Sequence, residues 1–140
     1  MRITSKGRYG LRAMMELARS TQNGQLLKVR EISERQSIPL KYLEQIINTL
    51  KKSRLVASAR GADGGYRIAR PSDEITVFEI LSALEGDLTI IDRNDPPGKD
   101  QGLFWIELED KIKSMLDIPL ADFIASSTNK ATDEGLMFYI

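Results

Sequence analysis

The 140-residue chain contains neither cysteine nor histidine. That double absence excludes disulfides, thiolate and imidazole metal sites, iron–sulfur ligation, and every nucleophile or base built on either residue. Any chemistry would fall to carboxylates, Lys, Tyr, Ser or Thr. Long apolar stretches are missing as well. The longest run free of charge is the eight residues Ser20–Leu27, far short of the ~20 that a membrane helix needs. The start of the chain has no secretory apolar core, because Arg12 and Glu16 interrupt Leu11–Ala18. No membrane association and a cytoplasmic location are therefore expected. Aromatic residues are scarce at 6%, but hydrophobic residues reach 41%, enough for one core and too many for a disordered chain.

Net charge is absent too, at +0, which taken alone argues against a nucleic-acid partner. The balance hides a segregation. Residues 1–70 carry 15 Lys and Arg against 5 Asp and Glu, a net of +10, and residues 71–140 carry the reverse, a net of −10. A local basic field attracts phosphates and releases their counterions whatever the distant half carries.

Hydrophobic spacing predicts a helix over Ser5–Arg19, with Thr4 or Ser5 as its cap and Tyr9, Ala13 and Leu17 on its inner face. Gly7 and Gly10 weaken it and leave room for another backbone to approach. A short helix over Val29–Arg35 follows, then the connection Gln36–Pro39, then a helix over about Leu40–Ser53. Leu40, Leu43, Ile47 and Leu50 form the expected buried stripe of this third helix. Lys41, Glu44, Gln45, Asn48, Lys51 and Lys52 lie on its other side. Two helices joined by a tight turn, the second polar outside, form a helix-turn-helix pattern. Strands at Leu55–Arg60 and Tyr66–Ala69, joined through Asp63-Gly64-Gly65, add a hairpin.

The expected fold is therefore mostly α with a small β-hairpin wing. A winged helix-turn-helix domain spans 1–72. A second region, 73–140, holds a helix over Val77–Glu85, an acidic loop over 87–102 and a long helix over Leu103–Leu116. A short helix at Leu120–Ala125 and a polar tail end it.

The third helix is the candidate reader of DNA. Recognition helices present their N-terminal residues to base edges in the major groove. Lys41, Tyr42, Glu44, Gln45 and Asn48 stand there. Gln pairs with the adenine N6/N7 edge, and Glu accepts from cytosine N4. Arg60 and Arg67 flank the hairpin turn and suit the negative potential of a minor groove. Arg2, Lys6, Arg8 and Arg12 crowd the first helix and suit phosphates. The competing reading is a protein-binding winged helix whose basic residues are ordinary surface.

Phe104, Trp105, Leu108, Ile112 and Met115 give the long later helix a broad apolar face, a candidate dimerisation surface. A dimer would set two recognition helices about 34 Å apart, matching successive major grooves of a palindromic operator. The apolar ending Phe138, Tyr139 and Ile140 either packs on that core or docks with its carboxylate in a partner's pocket. No enzyme is indicated. Gly61, Gly64 and Gly65 fit neither a phosphate loop nor a dinucleotide fingerprint. Asp92, Asp95 and Asp100 lack the spacing of an EF-hand. No metal and no cofactor are expected.

Three stretches carry a resemblance: the start Met1-Arg2-Ile3-Thr4-Ser5-Lys6-Gly7-Arg8-Tyr9, the run Tyr42-Leu43-Glu44-Gln45-Ile46, and Arg60-Gly61-Ala62-Asp63-Gly64-Gly65-Tyr66. Together they resemble the bacterial winged-helix transcription regulators that include IscR, NsrR and CymR, over nearly the whole chain. The resemblance implies a homodimeric transcriptional repressor with a long dimerisation helix. It places Glu44 and Gln45 at base-reading positions and Arg60 with its following glycines in the wing. Lys41 departs from the serine found in IscR, so this contact differs. Many family members hold an iron–sulfur cluster through three cysteines ahead of the long helix. Residues 87–102 have none, which excludes that mode of sensing and leaves the cysteine-free, CymR-like branch. That branch implies control of cysteine and sulfur metabolism, with cysteine synthase (O-acetylserine thiol-lyase) as co-repressor. The same enzyme captures the C-terminal Ile of serine acetyltransferase, which favours docking of Ile140.

Overall fold

The computed structural model describes residues 1–92, 94–95 and 98–133, with side-chain surroundings up to residue 128. Among the described residues six helices and one hairpin follow in the order α1 (Ser5–Gln22), α2 (Val29–Gln36), α3 (Leu40–Lys52), β1 (Val56–Ala59), β2 (Gly65–Ile68), α4 (Val77–Glu85), α5 (Gly102–Leu116) and α6 (Leu120–Asp133). The fold is mostly α with a small wing, as the sequence pattern predicts.

Helix α1 begins at Thr4, whose hydroxyl accepts from the Lys6 amide at 3.2 Å. It runs three residues past the expected end at Arg19. Ser20 is buried and its hydroxyl donates to the Leu17 carbonyl at 3.1 Å, while Thr21 accepts the Ile68 amide at 3.2 Å. The bond from Ile68 to Thr21 thus ties the polar last turn of the helix to β2. Gly10 does serve close approach, though of a side chain rather than a backbone: a Cβ there would collide with the Leu84 Cδ1 of α4.

Between α2 and α3, Ser37 adopts the left-handed conformation (φ 53°) that closes the turn without a glycine. The Ile38 amide then donates to the Ser33 carbonyl at 3.1 Å. Helix α3 buries Leu43, Ile46, Ile47 and Leu50. Ile46 widens the predicted stripe, and Leu40 is only half-buried. Burial of four such side chains contributes roughly 6–12 kcal/mol before chain entropy. That far exceeds the few tenths lost to the modest helix propensity of Asn48 and Thr49.

The hairpin pairs Val56 with Ile68 and Ala59 with Gly65. A third piece of backbone joins it: Leu27 and Tyr66 exchange hydrogen bonds of 3.0 and 2.7 Å. The main core draws on α1, α2, α3 and both strands, and also on Ile75, Ile80, Leu84 and Leu120 from beyond residue 72. A smaller cluster of Val77, Leu81 and Leu88 takes in Leu116, Ile118 and Phe123. Helix α6 continues to Asp133 and overruns the expected end at Ala125. No helix among the described residues is long and apolar enough to cross a membrane.

Candidate nucleic-acid interface

Packing of α3 decides which residues can meet a partner. With Leu43, Ile46, Ile47 and Leu50 facing the core, Lys41, Glu44, Gln45 and Asn48 are all exposed. Tyr42 is not free in the same way. It is half-buried and meets the Tyr9 ring edge-on, with centroids 5.9 Å apart. Arg12 lies over the other partner of that pair, 5.2 Å from the Tyr9 centroid. Its Nε donates to Gln36 Oε1 at 3.2 Å, and its Nη2 donates to the Gln36 carbonyl. Gln36 in turn donates to Glu16 Oε1 at 2.6 Å, and Arg35 pairs with Glu16 at 3.7 Å. Arg12 is thus a brace between α1 and the end of α2, a role invisible in its position among other basic residues.

Arg60 and Arg67 are exposed on the hairpin, and Arg67 also donates to the neighbouring Ile68 carbonyl at 3.4 Å. Gly65 is obligatory where the wing meets the body, because a Cβ would lie 2.8 Å from the Leu27 carbonyl oxygen. Between α3 and the wing runs a cleft of about 410 Å³ lined by Lys28, Lys51, Ser58 and Arg60. Lys28 escaped the sequence reading, and Lys51 was one of several outer-face cations. Their meeting with Arg60 joins the start of α2, the end of α3 and the hairpin, which no local pattern announces.

Arg2 and Arg8 are exposed at the start of α1, and Lys6 is half-buried. This turn is organised by Glu85, the last residue of α4. Glu85 Oε1 accepts from the Thr4 hydroxyl at 2.6 Å, the Thr4 amide at 3.2 Å and the Gly7 amide at 2.7 Å. Burial opposes ionisation of this carboxyl. The hydrogen bonds from Thr4 and Gly7 and the charge of Lys6 outweigh it and hold its pKa below the ordinary carboxylate value.

The apolar face predicted for α5 is open. None of its residues is buried, and Leu103, Phe104, Ile106 and Met115 are 71%, 59%, 47% and 80% exposed. Trp105 lies against Phe104 with centroids 4.9 Å apart, while Leu108 and Ile112 are half-buried. Phe138, Tyr139 and Ile140 lie outside the described residues.

A polar-faced helix beside a basic hairpin is the arrangement of a winged-helix domain. Comparison with known proteins gives the family. The model of Rrf2, described as an iron-dependent transcriptional regulator, matches residues 3–125, and this chain belongs to that family. It is 36% identical to the HTH-type transcriptional regulator CymR of Bacillus subtilis over the whole of both chains. With the HTH-type transcriptional regulator IscR of Aliivibrio salmonicida it shares 40% identity, covering 84% of this chain and 73% of that one. The solved structure of CymR (YrzC), the global cysteine regulator of B. subtilis, superposes with a TM-score of 0.82. That match has 32% identity and covers 90% of this chain and 98% of the other. These relatives are transcriptional regulators, not enzymes.

Iron does not fit the residues present. The chain has no cysteine or histidine. Among the described residues no group of three or more Asp and Glu is placed to hold a metal ion.

Proposed function

We propose that this protein is a homodimeric, sequence-specific DNA-binding repressor. In this reading residues 1–72 grip a palindromic operator and residues 73–140 pair two copies. The observation that carries it is the division of α3, whose four apolar residues are core while Lys41, Glu44, Gln45 and Asn48 face outward. Glu44 and Gln45 read base edges, with Lys41 and Asn48 beside them. Tyr42 sets the helix against α1 and adds its edge to the contact. Arg60 and Arg67 enter the minor groove, and Arg2, Lys6 and Arg8 hold phosphates. The exposed Phe104, Trp105 and Met115, with Leu108 and Ile112, supply the dimer seam.

Likeness to CymR over the full chain supports genes of cysteine and sulfur metabolism as the target, with a cytoplasmic site of action. Cysteine synthase as co-repressor, docked through Phe138, Tyr139 and Ile140, rests on the apolar ending and the same likeness.

Selection of bound duplexes from a random pool, with and without cysteine synthase, tests this reading. Enrichment of an inverted repeat is expected. Gln45→Ala should lower affinity for it by about 1–3 kcal/mol and relax one base position in each half-site. Equal losses on selected and random DNA would refute base readout. Deleting Ile140 should abolish the enzyme complex and spare DNA binding, and an undiminished complex would refute terminal docking.

A further inference from the structure

A second cavity lies away from the α3–hairpin surface. It measures about 500 Å³ and sits between the last turns of α1, the end of β2, the turn at 71–73 and the first turns of α6. That volume is in the range of small-molecule sites. Ala18, Ile68, Ile124 and Ala125 give it apolar lining, while Arg19 and Asp73 contribute one charge of each sign. Neither charge takes part in an ion pair among the described residues. The walls are already tied: the Ile68 amide donates to Thr21 Oγ1 at 3.2 Å, and the Ala121 amide donates to the Ser72 carbonyl at 3.1 Å. Arg19 and Asp73 are both exposed to solvent and so stand open to an incoming ligand.

We propose that this cavity binds a small zwitterion of the α-amino-acid type. The ligand carboxylate meets the Arg19 guanidinium, its ammonium meets Asp73, and its aliphatic part lies on Ile68, Ile124 and Ala125. A simple anion would satisfy Arg19 and be repelled by Asp73. An uncharged ligand would desolvate both without pairing either. Exposed ion pairs are individually weak, so contact with the apolar lining supplies much of the affinity, and dissociation constants in the upper micromolar to millimolar range follow. The cavity joins α1 and β2 to α6, so an occupant would brace the hairpin side of the molecule against its C-terminal helix.

Calorimetric titration of the full-length protein without DNA tests the site, using the common L-amino acids. N-acetylated and decarboxylated derivatives of any binder serve as controls. At least one free amino acid should bind, with both derivatives roughly tenfold weaker or worse. Arg19→Gln and Asp73→Asn should each weaken it by a similar factor, and Ala125→Phe should occlude the lining and abolish binding. Absence of heat from every amino acid at millimolar concentration would overturn the proposal. So would derivatives that bind as well as the parent, or charge variants that keep full affinity. The derivative comparison uses unaltered protein and decides even if a variant fails to fold. No residue of this cavity belongs to the proposed DNA contacts, so its failure leaves the operator reading standing.

Discussion

Helices α3 and α5 are of similar length, 13 and 15 residues, and each carries a generous set of apolar side chains. In α3 the set is consumed internally, with Leu43, Ile46 and Leu50 at 0% exposure. In α5 nothing is buried, and Met115 is 80% exposed. The first helix is held by its own chain and offers a polar face to a partner. The second leaves its apolar face open, and the proposed dimer seam would cover it. One helix is thus suited to recognition by polar contact, the other to association by exclusion of water.

The largest effects that sharpen this contrast are in the core. Leu50→Ala should destabilise the fold by about 2–5 kcal/mol in urea denaturation. Met115→Ala should cost under ~0.5 kcal/mol of single-chain stability while weakening self-association in sedimentation experiments. Comparable losses of folding stability from both would erase the distinction. Gly10→Ala comes next. Its methyl group must displace Leu84, at about 1–3 kcal/mol, and an unchanged denaturation midpoint would show that α4 moves aside freely. The smallest effect concerns Glu85. Its pKa is lower folded than unfolded, so its contribution is complete above the unfolded value. That contribution fades as pH falls through the folded one. Glu85→Gln should flatten that acid limb of the stability profile, and a limb unchanged in the variant would assign it to other carboxylates.

Much of this architecture can be read from sequence because its signals are local. The 3,4,3 spacing of α3 predicts which face is buried, and Asp63-Gly64-Gly65 announces the hairpin. Thr76, whose hydroxyl accepts the Glu79 amide at 3.1 Å, marks the start of α4 as a capping residue should. Ile46 was missed because a narrow stripe suffices for one neighbour, whereas α3 meets both α1 and α4. The polar run from Ser126 reads as tail, yet α6 carries through it, and the Thr128 hydroxyl donates back to the Ile124 carbonyl at 2.9 Å.

For the site, the exposed face of α3 and the arginines of the wing were legible. The brace made by Arg12 and the convergence of Lys28 and Lys51 on Arg60 were not. Glu85 reaching back to Thr4 was also illegible. Each joins residues far apart in the chain, and charge patterning registers only that such residues exist.

The pairing of Leu27 with Tyr66 has a mechanical consequence. It fastens the second strand at Tyr66, one residue beyond the turn, where a Cβ on Gly65 would press on the Leu27 carbonyl. The wing is thus tied to the body of the domain almost up to its turn. The turn at 60–64 extends past that fastening, and it is itself closed by the Gly64 amide donating to the Gly61 carbonyl at 3.0 Å, so the angle between the wing and the neighbouring helix is set by backbone bonds rather than by side chains.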